Sequence, residues 1–183
     1  MAQLHPGTGN KSPDALPLRD RRKTRDQGIF GDDIDMILAK VQEIATDVVA
    51  PQSAETDELA RWPESGLRAM QEAGLGGLVA PEELGGKGYG LLALTRVCET
   101  LGKECASTAI CYGMHSVGTS VIAANATPDQ KARYLTPICE GRHITTLSLS
   151  EPGTGAHFYL PETSLEALDD EHYCLTGTKT FVT

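Results

Sequence analysis

Leu147-Ser148-Leu149-Ser150-Glu151-Pro152-Gly153-Thr154-Gly155-Ala156 is the stretch on which the reading of this chain turns. Apolar residues alternate with small hydroxyl residues and then meet a Glu-Pro-Gly break, a pattern that predicts a short strand running into a tight turn. Gly153 and Gly155 remove side-chain bulk, and a strand end places backbone amides beside hydroxyls. That combination suits a planar ligand with a polar edge. A second hydroxyl-bearing strand, Lys179-Thr180-Phe181-Val182-Thr183, follows at the end of the sequence.

Upstream of this stretch the apolar period is helical. Ile34, Ile37, Leu38, Val41, Ile44, Ala45 and Val48 recur on one face, Asp32 or Asp33 can cap the start, and Pro51 makes continuation costly. A shorter helix is expected from Pro63, burying Leu67 and Met70 and stopping at Gly74. Leu91, Leu94, Val97, Cys98 and Leu101 mark a third, closed near Gly102. Residues 106–124 are apolar or small all round and include His115, so they predict a central helix buried on both sides. Thr127 caps a last helix entered at Pro128, with Tyr134, Leu135 and Ile138 facing inward and Gly141 ending it.

Between the second and third helices lies Gly74-Leu75-Gly76-Gly77-Leu78-Val79-Ala80-Pro81-Glu82-Glu83-Leu84-Gly85-Gly86-Lys87-Gly88-Tyr89-Gly90. It lacks the GxxxxGK[ST] order of a phosphate loop and no strand precedes it, so a compact irregular connection is the better reading. Near 142 to 145 the period falls from 3.6 to about 2. Strands are expected at 144–150, 163–168 and 172–183, the last two joined by a turn at Asp169-Asp170-Glu171. The fold class is therefore α+β: an N-terminal all-α helical bundle (31–143), then the first strands of a β domain (144–183), with residues 1–30 as a mobile arm.

That arm carries a basic knot at Arg19, Arg21, Arg22, Lys23 and Arg25 without an apolar segment behind it, so a secretory signal is not expected. The formal charge of -9 over 183 residues disfavours nucleic acid and anionic membranes as general partners. No apolar run approaches the roughly 20 residues that span a bilayer. Five cysteines without a CxxC pair read as reduced thiols. His5, His143 and His172 show no metal-ligand spacing, and no metal is expected.

The glycine-bearing stretches together resemble the flavin-binding segments of the acyl-CoA dehydrogenase family. Its first segment reads as a hydrophobic strand, Thr or Ser, Glu-Pro-Gly, a small residue, Gly, Ser and Asp; its second reads Gly-x-Lys-x-Trp-Ile-Thr, against Gly177-Thr178-Lys179-Thr180-Phe181-Val182-Thr183 here. The Gly74–Gly90 stretch also follows a pattern typical of the family. The β domain would then be the start of a β-barrel.

The resemblance implies FAD as cofactor. The hydroxyls of Ser150 and Thr183 would hydrogen-bond the polar edge of the isoalloxazine ring, Thr183 near N5, with backbone groups of Leu147 and Leu149 completing that edge. Phe181 stands where the family usually has Trp beside the flavin and keeps an aromatic face without an indole N–H. Ala156 and His157 replace the commoner Ser-Asp, so toward the thioester end of the substrate Ala156 offers only its backbone. His115 is a candidate pocket-lining residue, with a hydrogen-bonded core role as the plainer reading.

The implied parent reaction is α,β-dehydrogenation of an acyl-CoA thioester to trans-2-enoyl-CoA, with electrons passed to an electron-transfer flavoprotein. No catalytic base is assigned within these residues, since the family takes its glutamate from a C-terminal bundle. The chain reads as a fragment or truncated product of a homo-oligomer, dimer or tetramer, located in the cytoplasm or, in a eukaryote, the mitochondrial matrix. A flavin monooxygenase or nitroalkane oxidase of the same fold, and a non-catalytic assembly module, are the alternatives.

Overall fold

The computed structural model describes residues 32–170 and 172–183. The expected arm, its basic knot, the Asp32 or Asp33 cap and Glu171 of the turn lie outside the residues and side chains described. Helix α1 spans Asp32–Ile44 and turns Ile34, Val41 and Ile44 inward. Pro51 does not end the helical path as expected. A wider π turn at Ala45–Val49 keeps Ala45 and Val49 buried, a 3-10 turn at Ala50–Gln52 takes Pro51 into its first turn, and α2 continues from Ser53–Glu58. A proline in a first turn has no intrahelical N–H bond to lose, so the direction changes without a break.

Helix α3, Glu64–Glu72, starts after Pro63 and buries Leu67 and Met70. Gly74 closes it in the left-handed region at φ +69°, and Leu75 N–H returns to Met70 O at 2.9 Å, the αL termination that glycine allows without a Cβ penalty. The glycine-rich connection then folds on itself. Lys87 N–H donates to Gly77 O and Tyr89 N–H to Leu78 O, both at 3.0 Å, while Leu75, Leu78 and Tyr89 enter the core.

Helix α4, Leu91–Gly102, and α5, Ala106–Asn125, pack along each other, and α5 also meets α3 and α6, Pro128–Cys139. Helix α4 buries Ala93, Val97 and Leu101 and turns Leu91 to its outer face, 76% exposed. The central position of α5 holds, yet its expected burial on both sides does not. Thr108, Tyr112, His115 and Thr119 face inward, while Ile110, Val117 and Val121 are exposed on a face that no described element covers. Composition reports how apolar a helix is, not whether a neighbour is present. Likewise Leu135 and Ile138 of α6 are buried, but Tyr134 is turned out beneath Arg133, 5.4 Å from its ring.

After Gly141, at φ +73°, regular pairing is narrower than expected. Strands β1, Ser164–Ala167, and β2, Tyr173–Thr176, form an antiparallel hairpin with Leu165 opposite Leu175, and its turn is closed by Asp169 accepting the His172 N–H at 2.8 Å. Residues 144–150 form no ladder, and the last strand stops at Thr176. Phe181 adopts φ +52°, a left-handed conformation that a ladder cannot accommodate.

Candidate functional site

Helix α5 sets where the glycine-bearing segments begin. Gly118 faces Thr146 so closely that a Cβ there would lie 2.9 Å from the Thr146 carbonyl oxygen, and one turn earlier His115 receives the Thr145 N–H on Nδ1 at 3.1 Å. The Nε2 of the same ring lies 2.9 Å from Gly76 O. With Nδ1 accepting, the proton sits on Nε2 and donates to Gly76. His115 is thus neutral, 3% exposed and fully engaged, and burial lowers its pKa. It links the glycine-rich connection to the start of the β region.

From Thr145 the chain runs to Glu151, whose side chain leaves the turn. The turn itself is held at the Glu151 carbonyl, to which Thr154 N–H and Oγ1 both donate at 3.3 Å. The buried carboxylate instead accepts the N–H of Glu162, the N–H and Oγ1 of Thr163, and Nζ of Lys179 at 2.5 Å. Lys179 first, and Thr163 next, pull its pKa down to about 2. Lys179 Nζ also lies 3.4 Å from Leu149 O.

These contacts bring the segments 146–151 and 179–183 together. Thr180 N–H donates to Ser150 O at 2.9 Å, and Thr146 Oγ1 donates to the Thr183 carbonyl. Ser150, Thr183 and Leu147 are half-buried, whereas Leu149 is exposed and Phe181 is 94% exposed. Ala156 lies on the exposed turn, and His157 bonds Tyr159 Oη at 2.9 Å. His115 meets the start of this group through the Thr145 N–H. It lines a small enclosed cavity with Leu67, Met70, Gly76, Tyr112 and Ile144.

From sequence Thr163 has no role, and Lys179 and Glu151 stand only as members of the two quoted segments. The usable signal was an acid in one quoted segment and a lysine in the other. Among the described residues no group of three or more His, Cys, Asp or Glu could hold a metal, no disulfide forms, and no helix is long and apolar enough to cross a membrane.

The family model for the N-terminal domain of acyl-CoA dehydrogenase matches residues 31–142. The chain belongs to the acyl-CoA dehydrogenase family. It is 32% identical over 150 residues to the short-chain specific acyl-CoA dehydrogenase of Clostridium acetobutylicum, covering 81% of this chain and 39% of that one. Butyryl-CoA dehydrogenase from Megasphaera elsdenii superposes with a TM-score of 0.76 at 25% identity, over 84% of this chain and 41% of the other. An acyl-CoA dehydrogenase complexed with FAD from Bacillus anthracis gives 0.74 at 26% identity, over 87% and 27%. The chain therefore spans about two fifths of the curated relative's length. The family match covers α1 to α6 and the Gly74–Gly90 connection, and the segments 147–156 and 177–183 lie beyond it.

Proposed function

We propose that this chain is the N-terminal portion of an FAD-dependent acyl-CoA dehydrogenase that converts an acyl-CoA thioester to trans-2-enoyl-CoA. The observation that carries the reading is the Thr180 N–H bond to Ser150 O at 2.9 Å, which sets two hydroxyl-bearing segments side by side. The residues fit the cofactor by chemistry. Two half-buried hydroxyl-bearing residues, Ser150 and Thr183, lie on neighbouring segments, and Phe181, an exposed aromatic residue, stands two positions before Thr183.

Bound FAD would supply the hydride acceptor for the β-hydrogen. The Ser150 and Thr183 hydroxyls would hold the ring edge, each able to donate or accept as its charge changes, with backbone groups of Leu147 and Leu149 alongside. Phe181 would offer a stacking face. Ala156 would meet the thioester end through its backbone, and His115, with both nitrogens engaged, would support the site through packing. The proton-abstracting carboxylate is assigned to the part of the relatives' length that these residues do not span. An electron-transfer flavoprotein as acceptor, a homo-oligomeric holoenzyme and a cytoplasmic or mitochondrial-matrix location complete the proposal.

Two measurements test it. FAD titrated into the chain should shift backbone amides at 147–151 and 179–183 first; shifts confined to the helices would sink the site. The native protein purified from its source should carry FAD and reduce a dye only when an acyl-CoA is present. Substrate-dependent oxygen consumption without enoyl-CoA would favour the monooxygenase or oxidase chemistry instead.

A further inference from the structure

We infer that Glu151 and Lys179 form an internal clamp that fixes the spacing of Ser150 and Thr183, and so act as positioning residues for the flavin site proposed above, on which this inference rests. The Glu151 side chain is 2% exposed and that of Lys179 29%, so solvent screens this pair far less than the exposed pairs on the helices. The carboxylate does not serve one partner. It gathers the Glu162 N–H, the Thr163 N–H and Oγ1, and Lys179 Nζ, and so joins the three segments 149–151, 162–163 and 179–180 at one point. A buried carboxylate with this many donors is stable only while all of them remain in place.

The neighbouring glycine has a steric reason in the same arrangement. A Cβ on Gly177 would lie 2.2 Å from Thr163 Oγ1 and 2.9 Å from Thr163 Cα, so a side chain there would push Thr163 away from Glu151. Gly177 and Lys179 of the second segment therefore serve one contact, two residues apart, and Glu151 of the first segment receives it. Ser150 precedes Glu151 directly and Thr180 follows Lys179 directly, so the Thr180–Ser150 bond lies beside the clamp. Thr183 sits three residues beyond, tied back through its carbonyl to Thr146. Displacing either charged partner leaves the two hydroxyls without a common reference.

The test compares the chain with Lys179→Met, Lys179→Arg, Glu151→Gln and Glu151→Ala, reading residue-resolved amide exchange by NMR with and without added FAD. In Lys179→Met the Thr180 amide should exchange about tenfold faster, the loss expected for one net hydrogen bond, while amides of Tyr112 and Val97 stay unchanged. Lys179→Arg should restore most of that protection, and Glu151→Gln should fall between Lys179→Met and Glu151→Ala. The FAD-induced shifts at Ser150 and Thr183 should shrink in the same order. If Glu151→Ala fails to fold, the lysine pair still decides. An unchanged Thr180 amide in Lys179→Met, or no recovery in Lys179→Arg, overturns the clamp. Should the unaltered chain show no FAD-induced shifts, the flavin reading fails, and the exchange order alone still tests the clamp.

Discussion

The Thr145 N–H donates to Nδ1 of His115 across 3.1 Å, joining a buried helix residue to the segment that follows α6. The bond fixes the tautomer, because an accepting Nδ1 leaves the proton on Nε2, where Gly76 O receives it. A protonated ring would place an N–H against an N–H. Burial already holds the imidazole below its ordinary value, with the Gly76 carbonyl working the other way.

The sign of the resulting pH dependence follows directly. Unfolded, His115 takes up a proton near its reference value of about 6.5; folded, it resists, so the unfolded state binds more protons as pH falls. This term is absent above that pH and lowers stability progressively below it, until the folded group titrates too. Thermal midpoints measured between pH 7.5 and 5 should fall for the wild type and fall less for His115→Gln, whose amide can both donate and accept. Parallel curves would remove His115 from the account. His115→Ala should cost about 1–3 kcal/mol for each buried backbone group left without its partner, read by urea titration at pH 7.5.

The N-terminus of α6 supplies a more local test. Thr127 Oγ1 accepts the Gln130 N–H at 3.3 Å, while Gln130 Oε1 accepts the Thr127 N–H at 2.9 Å, a reciprocal capping box. Thr127→Ala removes one half and should lower stability by about 1 kcal/mol. Thr127→Ser should recover nearly all of it, and equal losses for the two variants would mean that the methyl group, not the oxygen, carries the effect.

Gly86 tests the packing of the connection between α3 and α4. A Cβ there would come within 2.1 Å of Ala80 O and 2.4 Å of Ala80 C, and backbone cannot swing aside as a side-chain tip can. Gly86→Ala should therefore destabilise by about 1–3 kcal/mol, the usual range for overpacking. Gly153→Ala should cost less, since its nearest neighbour is the flexible end of Glu162. Denaturation midpoints in the reverse order would contradict this packing.

Most of the helical domain was legible in the sequence because its signals are local. Pro63 and Gly74 bound α3, Thr127 and Gly141 bound α6, and Leu67, Met70, Val97 and Leu101 repeat with the period of the faces they bury. Pro51 misled because a helix can change its winding to place a proline in a first turn, and winding leaves no mark on the apolar period. The exposed face of α5 could not be read from Ile110, Val117 or Val121 alone, since burial depends on a neighbour far along the chain. The same holds at the site. Ser150 and Thr183 lie within recognisable segments, but Glu151, Thr163 and Lys179 are 12 and 28 positions apart in their bonds. Only the folded chain shows that one carboxylate joins them.

The last prediction is that the 183-residue polypeptide, assayed by itself with added FAD, does not dehydrogenate acyl-CoA. A base that removes an α-proton must be unoccupied, reach the substrate and titrate near the working pH. Glu151, the carboxylate at the centre of the candidate site, meets none of these conditions. Its oxygens are taken by Lys179, Thr163 and Glu162, its side chain is 2% exposed, and its pKa is drawn down to about 2, the wrong direction for a proton acceptor. Its shift makes a structural contribution instead, fully present above the unfolded carboxylate range and lost progressively as pH falls from that range through about 2. Asp169 is committed to His172 at the hairpin turn. Losing a positioned general base costs about 10² to 10⁴ in rate, enough to bring turnover below detection in a dye-coupled assay. The assay should use acyl-CoAs of several lengths and follow both dye reduction and enoyl-CoA formation. Substrate-dependent dye reduction that survives Glu151→Gln would require a base elsewhere in these residues. Reduction abolished by that substitution while the FAD-induced shifts at Ser150 and Thr183 persist would make Glu151 catalytic and overturn its assignment to the clamp.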